Sequence, residues 1–471
     1  MGLISWIKGW FNRMLLIDSR IKDEFDVEPI SSTAMDKYIK RCMDIYSGMP
    51  DWVDPDGHIK TVNVAKSVCS EVARLTTLAI GIKIDGSARA KWLQEQIDAA
   101  YSSFRDWTEY GCAAGNMILK PNGEGIDFVM PDRYKIVDMA NGVITGIVFI
   151  DRQKYEKKWY TRLEYHRFTG TGDNRRYEIS NRCFKGESEN DNGRAVPIAE
   201  TPWSGLQEDI VAVNVDKPLF GVFRTPSANN VDIGSPLGLP VFAEATEELR
   251  DFDIAYSRNA KEILDSKRLV LLDSDRLLST PGARLSQKNA DALSRDMGLP
   301  DYIKTVEGDG NSEIYHEINP SLNTEMRKSG MDFLLSQIGY KCGFSNGYFV
   351  FNEKSGMVTA TQVESDDRRT IQLIKDMRDK LQACLDGVIY ALDKFADAYN
   401  LAPAGTYKAT YDFGDITYNR EEDRARWYSY AQSNKVPFWY YLVKFEGLSE
   451  EEAKALIEEA TPADPMFGGE E

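Results

Sequence analysis

Along most of this chain apolar residues return every three or four positions, and in one block they return every second position; the two rhythms divide the chain into elements. The longest helical signal runs from about Val358 to Tyr399, where Ile371, Ile374, Met377, Leu381, Leu385, Val388, Leu392 and Phe395 form one stripe. Roughly 40 residues at about 1.5 Å each give a rod of about 60 Å, more than one compact monomeric core uses. Before it comes a glycine-bounded loop, Gly343 to Gly356, crowded with Phe344, Tyr348, Phe349 and Phe351. Before the loop, Ser321 to Lys341 reads as a helix with Leu322, Met326, Phe333 and Ile338 on its apolar side. A partner helix is predicted from Ser235, as cap, and Pro236, in the first turn, to Asp265. Its apolar residues are Phe242, Ala245, Leu249, Phe252, Tyr256 and Ile263, and its crowded Glu244, Glu247, Glu248, Asp251 and Asp253 read as a solvated face.

The rest follows by the same rules. Helices are expected at 31–48, 62–78 and 88–107, and a β-meander at 116–185, where runs such as YKIVDM and GVITGIVFI alternate and are punctuated by Gly, Asn and Asp. The sequence DMANG at 138–142 supplies a hairpin turn. His166 falls in this block and reads as a cross-strand packing residue. The acidic 185–196 is a surface loop. Residues 267–319 read as a small α/β insert: a strand at KRLVLLDS, a short helix at SQKNADALSRDMG, and strands at DYIKTVEG and SEIYHEI. After a strand at 407–413, helices are expected at 419–433, 437–445 and 449–460, the last opened by a Ser449/Glu452 capping box. The fold class is α+β.

Composition narrows the function. A chain of 471 residues with 57 Lys+Arg against 74 Asp+Glu carries a formal charge of -17. That is the wrong sign for gripping phosphates, though not for letting nucleic acid slide past. Six scattered cysteines with no CxxC spacing point to reduced, buried thiols. No apolar run reaches the ~20 residues of a membrane span. The amphipathic start, MGLISWIKGWFNRMLL, reads as an arm packing on a neighbouring subunit or on its own core. No P-loop, HExxH or GxSxG occurs, and the three histidines, 58, 166 and 316, are far apart. Asp412 with Asp415, or Asp366 with Asp367, are the only pairs that suggest a metal-bound carboxylate site, and capping or solvation explains them as well. No cofactor or metal is expected.

Several stretches together resemble the portal proteins of tailed bacteriophages, especially those of siphophages of Gram-positive hosts. They are ANNVDIGSPLG (228–238) with the acidic helix after it, KRLVLL (267–272), GMVTATQVESDDRRT (356–370) and DFGDITYNREED (412–423) followed by LSEEEA. The resemblance implies the phage portal fold: a wing at 1–239 and stem helices at 240–265 and 321–342. A small α/β clip would occupy 266–320, a tunnel loop 343–357, a long kinked wing helix 358–400 and a helical crown 401–471. It implies a homo-oligomeric ring of about twelve subunits, closed by cyclic symmetry, at one capsid vertex of the virion, assembled in the host bacterial cytoplasm. Viral double-stranded DNA would pass through its channel non-specifically for packaging, retention and ejection. Terminase, the major capsid or scaffold protein and a head-tail adaptor are the implied partners, with no membrane. The implied channel residues are Asn346, Tyr348 and Lys354, and the implied stem-packing residues are Phe242, Leu249, Phe252, Tyr256, Leu322, Met326 and Phe333. No catalytic role is implied. The alternatives are another oligomeric phage head or adaptor protein and, further off, a metal-dependent nuclease.

Overall fold

The computed structural model describes residues 17–265, 269–273, 303–306, 315–318, 324–350, 368–414, 420–446 and 450–460, with omissions at 55, 124, 171–175, 189–190, 192, 213–214 and 434. Helix and strand are mixed, as the two rhythms predict, in an α+β arrangement. The chain forms two compact units, 1–413 and 414–471.

In the first unit, α1 (17–25) and α2 (Thr33–Tyr46) lead into α3 (Val64–Thr76), β1 (Gly81–Gly86), α4 (Ala88–Ala100) and α5 (Phe104–Ala114). Ser32 caps α2 by accepting from Met35 N, the role its hydroxyl suits. The single helix expected over 88–107 is two helices, because a 3-10 turn at Tyr101–Ser103 breaks the run. Next come β2 (Asn116–Pro121), β3 (Ile126–Val129), β4 (Tyr134–Ala140), β5 (Val143–Tyr155), β6 (Lys158–Thr169), β7 (Arg176–Gly186), β8 (Arg194–Val196), β9 (Asp209–Ala212) and β10 (Gly221–Arg224).

The meander is real from β4 onward: β4-β5-β6-β7-β8 pair in order, with β9 added to β7. The turn between β4 and β5 is Asn141-Gly142, both at positive φ, as a primed hairpin turn requires. β2 and β3 leave the meander for a separate sheet of order β10-β2-β3. Alternation along β5 explains how both faces of the large sheet are covered. Ile147 and Phe149 enter a core with Met35, Ile39, Ile118 and Phe220, while Val148 and Ile150 enter another with Ile17, Ile21, Leu163 and Phe184.

The helix expected from Pro236 begins ten residues later, as α6 (Thr246–Asp265). Residues 229–242 instead form a hydrogen-bonded loop ending in a 3-10 turn, Ala243–Ala245, so Phe242 is a buried loop residue and not a helical one. The insert contains the three expected strands, β11 (Leu269–Asp273), β12 (Ile303–Val306) and β13 (Tyr315–Ile318). β11 is central, parallel to β12 and antiparallel to β13. Its expected short helix lies outside the described residues. Then come α7 (Thr324–Lys341), α8 (Arg368–Tyr399) and β14 (Tyr407–Asp412). The first ten residues expected of the long helix also lie outside the described residues. α8 lies across β2 and β10 and buries Ile374, Met377, Leu381, Leu385, Val388 and Leu392. β14 pairs with β1 antiparallel, which places 407–412 in the first unit.

The second unit contains α9 (Arg420–Gln432), α10 (Phe438–Glu446) and α11 (Glu450–Ala460). Ala431, Tyr441 and Phe445 are its core, with Trp427 and Leu442 against them.

Candidate functional site

α6 and α7 run antiparallel, pinned at both ends. Glu262 pairs with Arg327 at one end, and Lys341 Nζ donates to Glu248 Oε1 at 2.6 Å at the other. The early half of α6 is embedded through Leu249 and Phe252. Asp253, expected on a solvated face, is buried and accepts from Trp52 Nε1 and Val62 N, both at 2.9 Å. Ser257 Oγ accepts from Lys60 N at 2.9 Å one turn on. These bonds fix α6 to the 52–62 segment, while Glu244, Glu247 and Asp251 remain exposed. Tyr256 and Ile263 continue the stripe of Leu249 and Phe252 along α6 but are exposed.

α7 carries apolar residues on two sides. Leu335 and Ile338 face its own chain and are buried. Met326, Phe333 and Tyr340, at intervals of seven on the opposite side, are 74%, 63% and 49% exposed. The single stripe expected from Met326, Phe333 and Ile338 is thus divided, and Leu322 lies outside the described residues. Of the residues expected to pack a stem, Phe242, Leu249 and Phe252 pack within the chain, whereas Tyr256, Met326 and Phe333 are exposed.

The loop after α7 is less open than its composition suggests. Gly343 (φ +91°) turns the chain, and Phe344 is fully buried with the rings of Tyr348 and Phe349 within 5 Å of its own, centroid to centroid. Ser345 and Thr370 clasp loop to α8: Ser345 N donates to Thr370 Oγ1 at 2.9 Å and Thr370 N to Ser345 Oγ at 3.3 Å. Arg369 lies over the Tyr340 ring at 3.8 Å. The Tyr348 hydroxyl donates to Glu71 on α3, which also holds Arg74 at 2.7 Å. The Arg74 guanidinium keeps the Glu71 carboxyl below its ordinary range, and burial, with Glu71 beside it, pushes the Tyr348 phenol up. Asn346 is exposed and its Oδ1 accepts from Ser336 Oγ at 3.3 Å. The structure therefore brings Asn346 and Tyr348 to one loop beside α7, whereas Lys354 lies outside the described residues. Sequence reasoning missed Glu71 and Arg74. Their spacing of three signals a local helix pair, with nothing to announce a hydroxyl arriving from 277 positions away.

Two ionic clusters, each built on a buried charged residue, serve the framework. Arg89, 1% exposed, donates to Asp393 Oδ1 at 2.8 Å, Asp397 Oδ1 at 2.6 Å and the carbonyls of Asp393, Ala402 and Pro403, tying α4 to the end of α8. Glu164 on β6 accepts from Lys120 Nζ at 2.6 Å and Arg162 Nη2 at 2.9 Å, and lies 2.7 Å from His166 Nε2. Tyr177 Oη is 2.9 Å from His166 Nδ1. Burial raises the Glu164 carboxyl, but Lys120, His166 and Arg162 outweigh it and hold the group well below its ordinary range. Burial lowers His166 against the opposing pull of Glu164. A neutral imidazole donating to Glu164 and accepting from Tyr177 satisfies every partner, which gives His166 a packing role with hydrogen bonds.

All six cysteines are buried free thiols, and burial pushes Cys42 up to about 12. Among the described residues no group of three or more His, Cys, Asp or Glu is placed to hold a metal ion, and no helix is long and apolar enough to cross a membrane. Asp366, Asp367 and Asp415 lie outside the described residues. No protein-family model matches the chain, and no curated protein matches it.

Proposed function

We propose that this chain is the subunit of a bacteriophage portal, a ring at one capsid vertex through which double-stranded DNA is packaged, retained and ejected. The observation that carries the reading is the outward stripe of α7. Met326 and Phe333 lie on the side of that helix away from its own core, and burying side chains of this kind is worth roughly 1.5–3 kcal/mol each. A helix apolar on two sides is a helix packed on two sides, and Tyr256 and Ile263 on α6 offer a second exposed apolar surface for a neighbouring copy. The chain order adds support: a three-stranded insert is spliced between the ends of an antiparallel helix pair, and an aromatic loop and a long helix follow. In this reading α6 and α7 are the stem, the insert is the clip that meets terminase and later the head-tail adaptor, and the loop at 343–357 borders the channel. The first unit's sheets would form the wing against the capsid or scaffold protein.

The test is electron microscopy of the purified protein viewed down any symmetry axis, beside the Phe333→Asp variant. A closed ring of about twelve copies with an axial hole, lost in the variant while its circular dichroism is unchanged, is the expected result. Rings without an axial hole would favour another head or adaptor protein. Monomers that cleave DNA when given magnesium would overturn the reading.

A further inference from the structure

Three Asn-Gly pairs lie within the described residues, Asn122-Gly123, Asn141-Gly142 and Asn346-Gly347, and all three asparagines are exposed. Such a pair is the least hindered setting for attack of a backbone amide on the side chain before it, because glycine puts no Cβ beside the nitrogen. The fold treats the three differently. Asn141 has φ +51°, in the left-handed region, where the following amide nitrogen lies almost opposite the residue's own Cβ. Asn122 is closed into the turn between β2 and β3: its N donates to Gly125 O at 3.2 Å and its Oδ1 accepts from Gly125 N at 2.9 Å. A carboxamide bound to a backbone amide of its own tight turn is not free to swing.

Asn346 has neither restraint. Tyr348 N donates to Ser345 O at 3.2 Å, and Gly347 has φ +77° while Asn346 is not at positive φ. That is the signature of a type II turn with Asn346 and Gly347 at its centre. The turn is held on both flanks, by the Ser345–Thr370 clasp and by the Tyr348 hydroxyl on Glu71. Between them Gly347 N makes no hydrogen bond among the described residues. The Asn346 carboxamide oxygen accepts from Ser336 Oγ on α7 at 3.3 Å, and a hydroxyl can rotate to follow the group it donates to.

We propose that Asn346 is a site of spontaneous deamidation, assisted by the Ser336 hydroxyl. Gly347 N attacks Asn346 Cγ, the new C–N bond closes a five-membered succinimide, and the side-chain nitrogen leaves as ammonia with the proton that Gly347 N gives up. Water then opens the ring at either carbonyl, leaving aspartate or isoaspartate. One water is consumed and one ammonia released, with no oxidant or reductant. Charge develops on Oδ1 as Cγ becomes tetrahedral, and the Ser336 O–H already donates to that atom, as donors do where an oxyanion forms. Each event adds a negative charge to the loop, and isoaspartate also lengthens its backbone by a methylene. In the ring reading above this loop borders the channel, but the chemistry needs only one chain.

The test is peptide mass spectrometry of the purified protein held for days in warm, mildly alkaline buffer. The expected result is conversion of the Asn346 amide to the acid ahead of Asn122 and Asn141, with one heavy oxygen incorporated when the water is labelled. In urea, where the three pairs share the same chemistry and no fold, they should convert at similar rates. Ser336→Ala should slow Asn346 by roughly twofold to tenfold, the worth of one net hydrogen bond, and leave the other two sites unchanged. An Asn346 that stays intact in the folded chain while Asn122 or Asn141 converts would overturn the site, and an unchanged rate in Ser336→Ala would remove Ser336 from it. Neither result touches the ring reading, which imaging tests separately.

Discussion

At the scale of single residues, the Glu164 cluster makes a prediction about acid. The groups facing His166 are Glu164, Lys120, Arg162 and Tyr177, and burial lowers the imidazole from its ordinary 6.5. In the unfolded chain His166 takes up a proton near pH 6.5, whereas in the folded chain it does so only at lower pH. Its contribution is therefore present above about pH 6.5 and is lost as pH falls from there through the folded value, with a slope of at most about 1.4 kcal/mol per pH unit. Glu164, held low by its cations, is lost only further down, below 4.5. Urea unfolding at pH 7.5 and 5.5 should show the wild type losing stability across this interval, and His166→Gln losing less. Equal losses would mean that His166 does not titrate in the manner its burial dictates. Arg89 belongs to the same scale: with five acceptors and almost no exposure, it acts as a fastener between elements far apart in sequence.

At the scale of elements, β10 and α8 come into close contact. A Cβ at Gly221 would overlap the Cys384 carbonyl oxygen and stand 3.0 Å from Val388 N, so helix and strand touch backbone to backbone. Gly221→Ala should push α8 off the sheet and lower unfolding free energy by roughly 2–4 kcal/mol, within the range of overpacked and strained cores; a loss below about 1 kcal/mol would show that the helix can move aside. This contact also shows where sequence reading stops. The meander from β4 to β7 was legible because alternation along 134–186 is local and its turn at Asn141-Gly142 has its own chemistry. The three insert strands were legible for the same reason. β1 was not: it is a short run, mostly outside the core, that exists by pairing with β14 over 300 positions later. The start of α6 was misplaced because Ser235 and Pro236 do look like a helix opening, and the competing hydrogen bonds to Ser31 and Ser32 come from another part of the chain. At α7, periodicity gave the helix but not its two sides, because Met326 and Phe333 are set apart from Ile338 only by what each side faces.

At the scale of the whole molecule, charge and loop make one argument within the proposed ring. Twelve copies would carry 12 × (-17) = -204 formal charges, a field that repels phosphates and keeps DNA from sticking as it moves. A channel of that sign has no use for a loop that grips the backbone ionically, and among the described loop residues, 343–350, none is Lys or Arg. Tyr348 engages Glu71 with its hydroxyl and Phe344 with its ring, so its first role is to hold the loop against α3 and its neighbours. In the proposed ring the loop would serve as a shaped constriction, and removing it should alter DNA handling more than assembly. Deleting 346–354 leaves Phe344, Ser345 and Thr370, the buried ring and the two ends of the clasp, in the chain. The expected outcome is rings of normal appearance by electron microscopy and a marked fall in the nuclease-protected DNA recovered from particles built with the deletion. Tyr348→Phe, which removes only the hydroxyl bond to Glu71, should fall between the two. Wild-type levels of protected DNA from the deletion would take the loop out of packaging altogether, and loss of rings would make it an assembly element instead.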